Sequence, residues 1–245
     1  MMPVLLETRG VSQQFGGLLA NHDISIAVAR GEIVGLIGPN GAGKSTLFNL
    51  IAGVARPSAG TILFDGEDVT ALPATARCRR GIARTFQVVK SFEDMSVIDN
   101  VVVGALVRAT GVRAARIKAL EVLDFTGLQA RAEALASELT PAEKRRLEIA
   151  RALATVPKLL LLDEVLTGLT PSEARTGVDL VRRIRDLGIT ILMVEHVMEI
   201  VMPLVDRVIV LDLGSVLAEG KPADVVRNPA VIGAYLGERH RARNA

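Results

Sequence analysis

Nine residues, Gly38-Pro39-Asn40-Gly41-Ala42-Gly43-Lys44-Ser45-Thr46, satisfy the pattern G-x-x-x-x-G-K-[ST]. Glycines so spaced let successive backbone N–H groups turn inward around phosphate oxygens, and a helix starting at the lysine adds its positive end. Asn40, Gly41, Ala42, Gly43 and Thr46 then form the cradle. Lys44 reaches the β and γ phosphates of a nucleotide, and the Ser45 hydroxyl binds Mg²⁺. With glycine near 7% of residues, such a string arises by chance in about one chain in a hundred, so its setting decides its worth. An apolar run precedes it at Ile33–Ile37 and a helical pattern follows at Lys44–Ala52, as the chemistry requires.

A second set of residues matches the first. Leu159-Leu160-Leu161-Leu162 reads as a buried strand ending in Asp163-Glu164, and ligands of parallel sheets bind at that end of a strand. Asp163 is expected to hold Mg²⁺ through water, and Glu164 to take a proton from an attacking water. An acidic pair capping a strand is common by itself; beside a phosphate loop it gains meaning. The run Ile189–Val194 ends in Glu195-His196, which puts a histidine at the same sheet edge, where it could sense the γ-phosphate. Gln87, after the run Ile82–Phe86, could reach the same water or metal. Taken alone, such a histidine is as readily structural and such a glutamine a plain loop residue.

The elements that must position these groups follow from the pattern. Ile33–Ile37, Ile82–Phe86, Leu159–Leu162, Ile189–Val194 and Val208–Leu211 are short and mostly apolar, and all but the leucine run contain β-branched residues, as in a mainly parallel sheet. Ile24–Val28 and Thr61–Phe64, flanked by Arg30-Gly31 and Asp65-Gly66, predict an antiparallel layer. Helical patterns occupy Lys44–Ala52, Val112–Phe125, Ala142–Ala154 and Ser172–Leu187, with a short one at Val231–Leu236. Val97 to Glu138 is almost all helical pattern and predicts a small subdomain. Arg239, His240, Arg241 and Arg243 read as a frayed basic tail.

Composition narrows the field. Lys plus Arg is 29 and Asp plus Glu 27, a net charge of +2, and aromatics are 3% with no Trp. That balance argues against an electrostatic coat on nucleic acid and leaves few platforms for stacking bases. The single cysteine, Cys78, cannot form an internal disulfide; it fits a reducing compartment and a small buried side chain. Mean hydropathy is high at +0.36, yet the richest stretch, Ile189 to Leu213, is broken by Glu195, His196, Glu199, Asp206 and Arg207. No bilayer span is expected. Glu7 precedes any basic residue, so Met1-Met2-Pro3-Val4 is not expected to open a signal peptide.

Taken in order, the phosphate loop, Gln87, the helical insert, Leu139–Leu153, Asp163-Glu164 and His196 resemble the motifs of an ABC transporter ATP-binding subunit along nearly the whole chain. The resemblance implies an α/β P-loop NTPase cassette with a mainly parallel core sheet, an antiparallel β layer and a small helical subdomain. It implies one domain over 1–245, with 1–96 and 156–245 forming the core and 97–155 the helical subdomain. It implies ATP and Mg²⁺ as ligands. Glu164, His196 and Gln87 would be catalytic, Ser45, Gln87 and Asp163 would be on the metal, and Phe15 would stack on adenine. Phe15 reads equally well as a core aromatic. Two cassettes would pair head to tail, so that Thr140 and its helix face the nucleotide of a homologous partner, in a homo- or heterodimer. The segment Val88–Val101 would meet transmembrane permease subunits, placing the protein on the inner face of a cell membrane and indirectly in contact with a solute-binding protein.

Finer features resemble the ATPases of branched-chain amino acid uptake. They are Gly81–Gln87, Met95–Val101, Arg145–Leu153, Asn228-Pro229 and Ala234–Gly237. Urea or amide uptake, lipid export and a non-transport ABC ATPase stay open as alternatives; the last usually carries a long coiled coil or two cassettes, and this chain has one P-loop. There are departures too. Leu139-Thr140-Pro141-Ala142-Glu143 stands where the family has Leu-Ser-Gly-Gly-Gln or Leu-Ser-Tyr-Gly-Gln, Val165 replaces a proline, and Thr170 an Asp or Asn. Thr140, Pro141 and Glu143 together spell a capping box with proline at the first helical position. One composite site is therefore expected to be weaker than the other.

Overall fold

The structure, a computed structural model, describes residues 3–87 and 89–243, with side chains as far as 236. Expectations placed on Met1, Met2 and Val88, and on the side chains of the basic tail, lie outside the described residues. In chain order the elements are β1 (Val4–Phe15), β2 (Leu18–Ala29), β3 (Ile33–Ile37), α1 (Lys44–Ala52), β4 (Ala59–Phe64), β5 (Glu67–Asp68), α2 (Ala74–Arg80) and β6 (Ile82–Arg84). There follow α3 (Val97–Ala105), α4 (Val112–Phe125), α5 (Pro141–Ala154), β7 (Leu159–Asp163), α6 (Pro171–Asp186) and β8 (Thr190–Val194). The chain ends with α7 (Met198–Val201), β9 (Arg207–Asp212), β10 (Ser215–Gly220), α8 (Pro222–Val225) and α9 (Pro229–Arg243).

The chain divides into two units, Met1–Ala74 with Thr190–Ala245, and Thr75–Ile189. In the first, β3 pairs in parallel with both β8 and β9, and β10 closes antiparallel on β9. All five residues of β3 and all five of β8 are buried, which matches their apolar runs, Thr190 at the start of β8 excepted. The expected antiparallel layer is present as β2-β1-β4-β5. Its longest members were only partly legible. β1 interrupts its apolar positions with Glu7, Arg9, Gln13 and Gln14, and its register shifts on either side of Gly10, which sits at φ 60°.

The second unit holds β6 and β7 as a parallel pair, with Arg84 opposite Leu161. Around it lie α3 to α6 and two short 3₁₀ turns, Gln129–Arg131 and Ala136–Glu138. The strand expected over Ile82–Phe86 stops at Arg84. Thr85 still donates its N–H to Leu161 O, 2.9 Å, but the Phe86 ring leaves the ladder to lie beneath two cations, Arg84 and Lys90. Cys78 is half-buried, and burial raises its thiol pKa. Among the described residues no helix is long and apolar enough to cross a membrane.

Candidate nucleotide-binding and hydrolysis site

The phosphate loop belongs to the first unit and joins β3 to α1. Its glycines are enforced by sterics. A Cβ on Gly38 would lie 2.0 Å from Leu211 O, and one on Gly43 would lie 2.4 Å from both Ala20 O and Asn21 Nδ2. Gly43 sits at φ 96° as the N-cap of α1, with no side-chain cap bond. The backbone N–H groups of the first helical turn therefore start without a capping side chain, as anion binding there demands. The loop is braced from outside: Asn21 Nδ2 donates to Gly43 O at 3.1 Å, and the Gly214 N–H donates to Ala42 O at 3.2 Å. Lys44, 6% exposed, folds its ammonium back to the carbonyls of Gly38 (2.6 Å) and Pro39 (2.8 Å). Asn40, Gly41 and Ser45 face solvent, Thr46 is half-buried and Ala42 is buried.

Two further expected residues lie in this unit. His196 is exposed just past β8, whose direction parallels β3, so it stands at the same sheet edge as the phosphate loop. Its neighbour Glu195 is buried. Phe15 closes β1 and is 53% exposed. That exposure does not fit a core aromatic and leaves the ring open to a flat partner.

The second unit gathers Gln87, Asp163 and Glu164. Asp163 ends β7 with its side chain buried, 3.2 Å from the Arg84 guanidinium, and its N–H donates to Thr85 Oγ1 at 3.0 Å. Burial pulls the Arg84 pKa down, and Asp163 only partly offsets it. Glu164 follows at φ 52°, a left-handed conformation that costs a non-glycine residue roughly 1–3 kcal/mol. Its carboxylate accepts a bond from Gln87 Nε2 at 3.2 Å, so the two residues expected to meet at one water do meet. Among the described residues no three His, Cys, Asp or Glu side chains cluster as a self-sufficient metal site.

Thr140 caps α5 as its spacing predicts. Its N–H donates to Glu143 Oε2 at 2.9 Å, and the Glu143 N–H donates to Thr140 Oγ1 at 3.3 Å. These bonds hold the Glu143 carboxyl below its ordinary pKa. Sequence reasoning missed a twin of this box. Thr170, noted only as a departure, caps α6 in the same way with Glu173, after which Pro171 opens the helix. It also missed Arg84 as the partner of Asp163, although a charge set in a run as apolar as Ile82–Phe86 is itself a signal.

The comparisons with known proteins decide the family. The ABC transporter family model matches residues 21–167, and a branched-chain amino acid ATP-binding cassette transporter model matches residues 215–241. The chain belongs to the ABC transporter family. It is an ATP-binding cassette of the ATPase class that powers transport. The cassette is 40% identical to the high-affinity branched-chain amino acid transport ATP-binding protein LivG of Escherichia coli K12, over 97% of this chain and 100% of that one. It is 37% identical to BraF of Pseudomonas aeruginosa, a protein of the same description, over 96% and 98%. Among solved structures it resembles the ADP conformation of MJ1267, an ATP-binding cassette of an ABC transporter. The TM-score is 0.88 at 30% identity, covering 96% of this chain and 100% of that one.

Proposed function

We propose that the cassette is the ATP-hydrolysing subunit of an importer for branched-chain or related amino acids, held on the inner face of a cell membrane by permease subunits. Cassettes of this family work with permease subunits and dimerise. The observation that carries the substrate class is the C-terminal match at residues 215–241. That stretch spans β10, α8 and most of α9 and holds none of the nucleotide motifs. It therefore bears on the kind of transporter, not on ATP chemistry.

In this reading the loop N–H groups and Lys44 hold the β and γ phosphates, and the exposed Phe15 ring stacks on adenine. Ser45, Gln87 and Asp163 offer a hydroxyl, an amide oxygen and a carboxylate, the hard oxygen donors that suit Mg²⁺. When bound, Mg²⁺ neutralises charge on the β and γ phosphates. Glu164 accepts the proton of the attacking water, Gln87 orients that water, and His196 donates to the γ-phosphate.

Thr140 and the start of α5 face a partner's nucleotide. Pro141 brings no N–H there, and Ala142 adds a methyl group where the family's glycine permits close approach. Glu143 has its charge tied up in the capping box. These features support an asymmetric dimer. The site built on Lys44, Glu164 and His196 hydrolyses ATP, and the site closed by Thr140 holds it more passively.

The experiment is to delete the gene from its host and restore it as parent or as Lys44→Ala, following uptake of radiolabelled leucine, isoleucine, valine and methionine. Uptake of the branched-chain set should depend on the parent copy and fail with Lys44→Ala. Loss confined to methionine would replace the substrate assignment. Uptake unaffected by deletion would refute it. Asymmetry is read separately, by inactivating each subunit's glutamate in the assembled transporter. Equal losses, or a homodimer that transports normally, would defeat it.

A further inference from the structure

Three residues on one face of α5, Arg145, Glu148 and Arg151, spaced i, i+3 and i+6, hold the backbone that carries Gln87. Arg145 Nη1 donates to Gln87 O at 3.1 Å. The Lys90 N–H donates to Glu148 Oε1 at 3.0 Å, and the Arg151 guanidinium donates to Lys90 O. Further along, the Arg151 guanidinium covers the Phe92 ring at 4.6 Å, and Lys144 Nζ reaches both oxygens of Glu93 at 2.9 and 3.1 Å. Every helix residue in this row grips the same short run of chain.

Glu148 is the unusual member. It is 4% exposed, and burying a carboxylate is costly unless it is satisfied. Burial pushes its pKa up, against the N–H groups of Lys90 and Phe86 and the charges of Arg145 and Arg151. Core packing alone would be served better by an apolar residue of similar volume. A buried acid that accepts the Lys90 N–H, three residues past Gln87, does something leucine cannot: it holds a stretch of backbone that no strand ladder holds.

We infer that Glu148, flanked by Arg145 and Arg151, is a positioning residue that holds Gln87 in register with Glu164. The inference rests on the reading of Gln87 as a group that orients the attacking water. The Gln87 amide sits 3.2 Å from the Glu164 carboxylate, and its main chain is held three residues from a buried anchor. Without that anchor the amide samples positions in which the water is misplaced. Errors of about 1 Å at such a group cost up to 10²-fold in rate.

The test uses the full cassette in its assembled transporter, measuring ATP affinity with a fluorescent ATP analogue and kcat at saturating ATP. Glu148→Ala should lower kcat by about tenfold or more while ATP affinity stays at the parent value. Glu148→Gln keeps an oxygen acceptor for the Lys90 N–H and should recover most of the loss. In a Gln87→Ala background, Glu148→Ala should add almost nothing. Trypsin cleavage after Lys90 gives a readout without turnover; it should accelerate in Glu148→Ala and return toward parent in Glu148→Gln. Should Glu148→Ala fail to fold, Arg145→Ala, which opens no buried space, is expected to show the same separation of kcat from affinity. Multiplying losses in the double variant, or parental kcat in both Glu148→Ala and Arg145→Ala, overturns the positioning role. A parental kcat in Gln87→Ala instead overturns the reading of Gln87 itself, so the two failures are told apart.

Discussion

Replacing Arg84 by methionine removes the guanidinium that faces Asp163 while keeping a long apolar stem between β6 and the Phe86 ring. The two side chains are 11% and 5% exposed and their charged atoms lie 3.2 Å apart. At an effective dielectric constant near 20, a unit pair at that distance attracts by about 5 kcal/mol. Burial cancels much of this, as the lowered Arg84 pKa shows. The pair is therefore near break-even as a whole but costly to split. Arg84→Met takes the charged partner from a buried carboxylate and should cost about 3–5 kcal/mol of stability. The cation over the Phe86 ring at 4.6 Å adds at most about 1 kcal/mol. The assay is urea unfolding at neutral pH followed by far-UV circular dichroism, since the chain has no Trp and one Tyr. A second variant, Arg84→Met with Asp163→Asn, neutralises that carboxylate and should recover at least half the loss. A single variant within about 1 kcal/mol of the parent, or a double variant no more stable than the single, would refute the account.

Three further outcomes are expected. Glu164→Gln should bind ATP as the parent does and lose about 10²–10⁴ in turnover; near-parental hydrolysis in the assembled transporter would remove Glu164 from the role of base. Gly43→Ala should abolish tight binding of a fluorescent ATP analogue, because its methyl group meets the Ala20 carbonyl at 2.4 Å. Gly41→Ala, at φ 76° with open space around it, should cost only about 1 kcal/mol, and equal effects of the two would refute the steric argument. Glu32 is half-buried, and burial raises its pKa, but the Arg207 guanidinium and the Ala29 N–H lower it further, so the net shift is downward. Its stabilisation is then present at neutral pH and lost as pH falls through the depressed folded-state value. Glu32→Gln should therefore flatten the acid side of the stability curve below about pH 4, and parallel curves of urea midpoint against pH would count against it.

What could be read from the sequence depended on how local each signal was. Helices α1 and α4 were legible to the residue, Lys44–Ala52 and Val112–Phe125, because glycines bracket their starts and the apolar period runs without interruption. The phosphate loop was legible because the chemistry itself demands adjacent residues. The capping box at Thr140 was equally local, and the structure closes it as its spacing requires. β10 was not legible. Its residues are mostly half-buried and mixed in polarity, and it exists because β9 offers an edge. The grip of α5 on the Gln87 backbone was hidden for a similar reason. Glu148 reads as an ordinary helix position, and its partner Lys90 lies 58 residues earlier.

The arrangement of β3 has a consequence for synthesis. Its five buried residues are flanked by β8 and β9, whose first residues come about 150–170 positions later in the chain. At ribosomal rates of about 5–20 residues per second, β3 waits roughly 8–35 s for its neighbours. Throughout that interval Ile33-Val34-Gly35-Leu36-Ile37 is an unpaired apolar strand, the kind of segment that seeks the wrong partner. The unit Thr75–Ile189 is continuous in sequence and can fold as it emerges. The first unit must instead hold its opening half unsatisfied until nearly the whole chain has left the ribosome. Ribosome-bound chains stalled so that Ile189 has just cleared the exit tunnel should therefore carry a protected Thr75–Ile189 unit beside a β3 open to proteases and to chaperones that bind extended apolar peptide.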